Sequence, residues 1–196
     1  MSKTVEFFFD LGSPASYLAW TQLPALCARH DAQLVYRPML LGGVFQATGN
    51  ASPAMVPAKA RYVFADFQRY AGRYGVTLAF PPGFPINTLT LMRGTMAVQL
   101  FAPERFETYL KAVFPAIWVQ QRNLGDPQVL ATVLQEAGFD PEQYQAWTAD
   151  PQVKAALKDA TEEAVRRGAF GAPTFFVGEQ MFFGQDRLEF VEEALQ

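Results

Sequence analysis

The chain of 196 residues contains one cysteine, Cys27, and one histidine, His30. A single cysteine excludes an intramolecular disulfide, and one histidine beside it leaves too few ligands for a four-ligand zinc site, so no metal is expected. Such cysteine usage fits a reduced, cytoplasmic setting. Basic excess is also missing: 16 Lys and Arg face 19 Asp and Glu, for a net charge of −3, so neither nucleic acid nor an anionic membrane surface is an expected partner. Long apolar runs are absent as well. The N-terminal Val5, Phe7, Phe8 and Phe9 are interrupted by Glu6 and closed by Asp10, too short a stretch for a signal peptide or a membrane span. No low-complexity linker or fixed-period repeat appears, because 14 prolines and 14 glycines are scattered along the chain. What the chain has in quantity is apolar material, 50% of its residues, enough for a sizeable core.

Residues 4–9, TVEFFF, are β-prone and end in Asp10-Leu11-Gly12, after which Ser13-Pro14 places an N-cap residue before a proline at the first helical position. Tyr17, Leu18, Leu23, Leu26 and Cys27 give that helix an apolar face up to His30-Asp31, where His30 suits the helix C-terminus, and LVYRPML at 34–40 alternates like a second strand. This is a βαβ unit, with parallel strands and a right-handed crossover. Helices follow at 57–74, 87–101, 103–121, 127–137 and 141–166, bounded by Pro103, Gly125-Asp126-Pro127 and Gly138-Phe139-Asp140-Pro141. After Gly168, PTFFV at 173–177 and MFF at 181–183 form a hairpin, and DRLEFVEEAL a last helix. The order β-α-β, helices, β-β-α is that of an α/β, thioredoxin-like fold with a large all-helical insertion: 1–44 and 168–196 make the thioredoxin-like part and 45–167 the insertion. A mixed α/β domain followed by a separate helical one would leave the C-terminal hairpin without a sheet to join.

Three places carry candidate chemistry. Ser13-Pro14-Ala15-Ser16 sits at the N-terminus of the first helix, where free N–H groups and the dipole stabilise an anion. Thioredoxin-like redox proteins carry Cys-x-x-Cys at this turn; serine at both positions removes disulfide exchange by the protein's own residues, so a ligand must bring the thiolate. Ser13 is equally readable as a plain N-cap. In Gly171-Ala172-Pro173-Thr174 a proline opens a strand, and a cis Ala172-Pro173 peptide facing the first helix would offer the Ala172 N–H and C=O to an extended peptide. Without that, Pro173 simply starts a strand. Lastly, Phe183-Gly184-Gln185-Asp186-Arg187 places Asp186 to cap the last helix, with N–H groups free to receive a carboxylate.

The chain resembles the 2-hydroxychromene-2-carboxylate isomerases and, more distantly, the kappa-class glutathione transferases, relatives of the bacterial disulfide-forming oxidoreductases. The resemblance rests on FFFDLGSPASYLA, TGNASP, PAKARYVFADFQRYAGRYGV, FPINTLTLMRG and GAFGAPTFFVGEQMFFGQDRLEFVEEAL, in that order along nearly the whole chain. It implies that glutathione is the cofactor, with Ser13 hydrogen-bonded to its sulfur and serving as the catalytic residue. Pro14, Asn50, Lys59, Ala172, Pro173, Gln185 and Asp186 would line the peptide: Lys59 at the glycine carboxylate, Ala172 at the cysteinyl backbone, Gln185 and Asp186 at the γ-glutamyl end. For the substrate, a small aromatic or unsaturated carboxylic acid, the expected contacts are Phe45, Phe84 and Asn87, although a loop aromatic such as Phe84 is also ordinary packing. Arg61 and Arg93 read either as carboxylate anchors or as solvated helix charges. The implied reaction converts 2-hydroxychromene-2-carboxylate to trans-o-hydroxybenzylidenepyruvate in bacterial aromatic degradation, by a homodimer. Two rival expectations stand beside it: a kappa-like transferase or peroxidase, and a non-catalytic thioredoxin-fold module that binds extended peptides.

Overall fold

The computed structural model describes residues 3–196. Strand β1 (Thr4–Phe9) leads into helix α1 (Pro14–Arg29), and β2 (Gln33–Pro38) returns parallel to β1, pairing Thr4 with Gln33 and Phe9 with Pro38. The chain then runs through α2 (Leu41–Thr48), α3 (Pro57–Tyr74), α4 (Leu89–Phe101), α5 (Phe106–Trp118), α6 (Pro127–Glu136), α7 (Pro141–Ala149) and α8 (Pro151–Arg166). It re-enters the sheet with β3 (Thr174–Val177), antiparallel to β1, and β4 (Gln180–Phe183), antiparallel to β3, before α9 (Leu188–Glu193). The strand order β2-β1-β3-β4 makes one mixed sheet from both ends of the chain. This is the thioredoxin-like α/β fold with a helical insertion.

Strand β1 lies inside the sheet: Val5, Phe7 and Phe9 are buried on one face, while on the other Phe8 is buried and Thr4 and Glu6 are half-buried. Phe7 and Phe9 stack at 4.9 Å, and Phe7 stacks on Phe175 of β3 at 5.6 Å, on the face that meets α1, α4 and α5. Phe8 points the other way, into a smaller cluster with Met39, Val44, Ala164 and Phe176. Each fully buried phenylalanine contributes about 1.5–3 kcal/mol. Arg37 and Arg167 lie over Phe8 and share the carboxylates of Glu6 and Glu163. The larger core is continuous from Phe7 and Phe9 to Tyr109, Trp118, Leu134 and Val153, so sheet and insertion bury a common interior.

Three departures from the sequence reading have physical causes. Residues 141–166 are two helices, because Pro151 lacks an N–H and holds Asp150 extended (ψ 130°), while the Asp150 carboxylate caps the second helix by accepting from Gln152 N at 2.7 Å. Helix α2, unanticipated among the glycines of LLGGVFQAT, forms through tertiary contacts: Leu40 N donates to Thr161 Oγ1 at 2.9 Å and Leu41 N to Asp10 Oδ2 at 2.8 Å. A Cβ on Gly43 would come within 3.2 Å of the Thr161 methyl, so glycine lets α2 lie close to α8. Finally, Asp186 does not cap α9; its carboxylate is held by Arg187 at 2.7 Å in a 3-10 turn, and Arg187 takes the N-cap position without a side-chain capping bond to the helix.

Candidate active site

At the end of β1 the chain changes from Phe9 to Asp10, a residue 1% exposed whose carboxylate has no ion pair among the described residues. It accepts three hydrogen bonds, from Gly12 N (2.8 Å), Leu41 N (2.8 Å) and Thr88 Oγ1 (3.0 Å). Burial raises the Asp10 pKa above its ordinary 3.8, against the opposing pull of those donors. One side chain therefore ties together the β1–α1 turn, the start of α2 and the start of α4. Gly12 is required at this junction, since a Cβ there would sit 2.6 Å from the Thr88 methyl. Leu11, between them, is held from the insertion: Trp118 Nε1 donates to its carbonyl at 2.9 Å and its N–H reaches Met92 Sδ at 3.3 Å.

Ser13 emerges from this clamp as the N-cap of α1, 4% exposed, with its Oγ accepting from Ser16 N at 3.1 Å. The same hydroxyl donates to Ala172 O at 3.1 Å, across 159 positions in sequence. Ser13 therefore caps the helix and also touches the loop before β3. The Ala172-Pro173 peptide is cis, as expected. The N–H groups of Ala15 and Ala172 have no acceptor among the described residues. Ser16 is fully buried and its Oγ lacks a partner among the described residues, so the second serine of the turn lies behind the site.

Around Ser13 opens a cleft of about 1090 Å³. The structure brings Ser13, Pro14, Phe45, Asn50, Lys59, Phe84, Asn87, Ala172, Gln185 and Asp186 to its walls. Pro173 is not among them; it is buried where β3 begins, its carbonyl accepting from Gly184 N at 3.0 Å. Asn50 is already committed, donating to Phe170 O and accepting from Ala51 N, both at 2.8 Å, and so holds its own loop against the β3 approach. Gln185 is 3% exposed and its Oε1 has no partner among the described residues. Phe84 lines the cleft and also packs on Phe64, Phe80 and Trp118 at 5.7–5.8 Å between ring centroids. Arg61 does not line the Ser13 cleft, Arg93 lines a different cleft, and His30 pairs with Glu192 at 2.9 Å. Cys27 is buried in the core, which pushes its thiol up to about 11 and leaves it unsuited to nucleophilic work.

Sequence reasoning missed Asp10, Thr88 and Trp118. A polar residue directly after the all-apolar Phe7-Phe8-Phe9 was the available signal for Asp10; nothing local distinguishes Thr88 or Trp118.

The profile of the DSBA-like thioredoxin domain matches residues 4–196. The chain belongs to this DsbA-like thioredoxin family. Within it, the chain is 33% identical to the 2-hydroxychromene-2-carboxylate isomerase of Sphingobium xenophagum over 198 residues, spanning 100% of this chain and 99% of that protein. It is 31% identical to human glutathione S-transferase kappa 1, spanning 100% and 92%. A solved 2-hydroxychromene-2-carboxylate isomerase superposes with a TM-score of 0.87 at 29% identity, covering 98% of this chain and 94% of that one. A probable DsbA oxidoreductase from Streptomyces coelicolor shares the fold, with a TM-score of 0.76 at 21% identity. Similarity to isomerases and transferases over the full chain indicates an enzyme. No helix among the described residues is long and apolar enough to cross a membrane.

Proposed function

We propose that this DsbA-like chain is a cytoplasmic, glutathione-dependent isomerase acting on 2-hydroxychromene-2-carboxylate to give trans-o-hydroxybenzylidenepyruvate in aromatic degradation, working as a homodimer. The reading rests on the Ser13 hydroxyl, placed at a helix N-terminus and in contact with Ala172 in a cleft whose walls keep unspent donors and acceptors. The chain's own thiol is buried elsewhere, so a thiol must come with a ligand. The cleft fits a small thiol peptide: Ala15 and Ala172 offer N–H groups, Gln185 Oε1 an acceptor, Asp186 a carboxylate and Lys59 a cation.

Glutathione supplies a nucleophilic thiolate for reversible addition to an unsaturated carbon of the substrate. Ser13 would turn its one hydroxyl proton from Ala172 O toward the sulfur, while the first turn of α1 adds its dipole, holding the thiol ionised. The released Ala172 carbonyl and its free N–H would then pair with the extended peptide as a short added strand. Lys59 would take the glycine carboxylate and Gln185 with Asp186 the γ-glutamyl end. In this division of labour the thioredoxin-like part, 1–44 and 168–196, orders the thiol, and Phe45, Phe84 and Asn87 of the insertion, 45–167, hold the aromatic acid beside it.

A second reading, a kappa-like transferase, is supported by the near-equal identity to the human kappa transferase. Following the chromene acid spectrum with protein alone and with protein plus glutathione decides between them when run beside a chlorodinitrobenzene conjugation assay. Glutathione-dependent conversion without consumption of glutathione is the expected result. Conjugate formation without isomerisation would establish the transferase. Binding of extended peptides with no turnover of either compound would make the chain a peptide-binding module.

A further inference from the structure

A guanidinium that loses part of its water needs acceptors in return, and this chain provides them for four of its five half-buried arginines. Arg37 and Arg167 share Glu6 and Glu163, and Arg122 pairs with Glu136 at 2.7 Å. Arg105 donates to Gly138 O at 2.8 Å and lies 3.8 Å from the centre of the Phe139 ring. Arg93, in the second turn of α4, is the fifth, and among the described residues it has no hydrogen bond, ion pair or ring contact.

Arg93 lines a cleft of about 810 Å³ between α2, α4 and α8, separate from Ser13 and within the roughly 300–1,000 Å³ of small-molecule sites. Its apolar lining is Leu40, Leu89, Leu157 and Val165. Lys154, Lys158 and Arg166 stand at its edges against the one carboxylate of Glu162, which pairs with Lys158 at 3.6 Å. The chain as a whole is net negative, so four cations to one anion here is a local arrangement that average composition does not produce. An apolar floor with one half-buried guanidinium suits a single, flat, delocalised anion carried on an apolar body. A polyanion would leave the floor uncovered, whereas a carboxylate matches the fork of an arginine in two parallel hydrogen bonds.

We propose that this second cleft binds an amphipathic monocarboxylate, its carboxylate on Arg93 and its apolar body on Leu40, Leu89, Leu157 and Val165. The proposal is independent of the reaction assigned to the Ser13 cleft. The two clefts meet at Leu40 and Leu89, which line both, so a ligand here touches side chains that also border the other site.

Calorimetric titration of the full chain with decanoate and with decanol tests it, in the absence and presence of saturating glutathione. One decanoate per chain is expected, with decanol weaker by about tenfold or more and glutathione without effect on either. Arg93→Gln should weaken decanoate about tenfold or more at unchanged thermal stability, because Arg93 has no internal partner to lose. Ala47→Trp, which fills the cleft from an exposed position of α2, should abolish binding and keeps the proposal testable if Arg93→Gln folds poorly. Absence of decanoate binding to the wild type at about 1 mM, equal binding by Arg93→Gln, or displacement by glutathione would each overturn it. So would sedimentation showing that Arg93→Gln dissociates a dimer whose wild-type form takes up no decanoate, which would make the cleft a subunit contact.

Discussion

The two walls of the Ser13 cleft are built differently. On the Ser13 side, Asp10, Ser13 and Gln185 are at most 4% exposed, and the turn that carries Ser13 is fixed by Gly12, Leu41, Thr88 and Trp118. On the insertion side, Asn50, Lys59 and Asn87 are exposed and Phe45 and Phe84 only half-buried. The first wall is buried, hydrogen-bonded and built largely from β1, the β1–α1 turn and the approach to β3; the second is exposed and half-buried side chains over helix ends and a proline-rich loop. A buried, hydrogen-bonded wall suits a fixed cofactor, because ordering costs are met in folding and not in binding. An exposed wall can be changed without disturbing the core, so substrate preference can vary there at little cost to the fold.

The sharpest way to break the contrast is Trp118→Ala. This side chain is fully buried and carries the hydrogen bond to Leu11, so its removal should cost about 3–5 kcal/mol in urea unfolding, with turnover falling even below the melting temperature. Full turnover in the folded variant would show that the preformed turn is dispensable. Ser13→Ala acts on the same wall, at the hydroxyl proposed to face the thiol. It should lower glutathione-dependent turnover by tenfold to a hundredfold, the value of a charge-assisted hydrogen bond of about 1.5–3 kcal/mol, and raise the pKa of the bound thiol in a spectroscopic titration. Loss of about 1 kcal/mol of stability with unchanged turnover would leave Ser13 only its capping role.

Asp10→Asn tests the clamp itself. Each carboxylate oxygen accepts a backbone N–H, so an amide must turn its NH2 toward one of them, at a cost of about 1–3 kcal/mol. The pH dependence has a defined sign. With the folded pKa raised above 3.8, the folded chain holds this proton more tightly than the unfolded one; the group's contribution is full below 3.8 and is lost as pH rises through the folded value. The stability advantage of wild type over Asp10→Asn should therefore shrink across that interval in urea titrations. The smallest effect belongs to the exposed wall: Lys59→Met should raise KM for glutathione by about two- to fivefold, as an exposed ion pair of about 0.2–1 kcal/mol allows, with stability within about 0.5 kcal/mol of wild type. A large loss of stability there would erase the difference between the walls.

Much of the fold was legible in local sequence because local chemistry decides it. Asp126-Pro127 and Asp140-Pro141 start helices by one device, an extended aspartate that accepts from the N–H two residues on, at 2.8 and 2.9 Å. Asp150-Pro151 repeats it within the stretch 141–166 that reads as one helix from its spacing. Ser13 as a cap and the strand-turn-helix around it follow from the same short-range rules.

What the sequence by itself determined is therefore the set of elements whose ends are held by neighbours two to four positions away, together with the absence of a second thiol and of a basic excess. Tertiary structure alone decided the rest. Helix α2 exists because Asp10 and Thr161 satisfy its first N–H groups, Asn50 is spent on Phe170 O 120 positions away, and Ser13 meets Ala172 across 159. Arg93 resembles any other helix charge until α2 and α8 close over it. Caps and prolines act through bonds within a turn of chain, whereas a buried carboxylate's donors and an arginine's missing partner are set by which surfaces the core brings together.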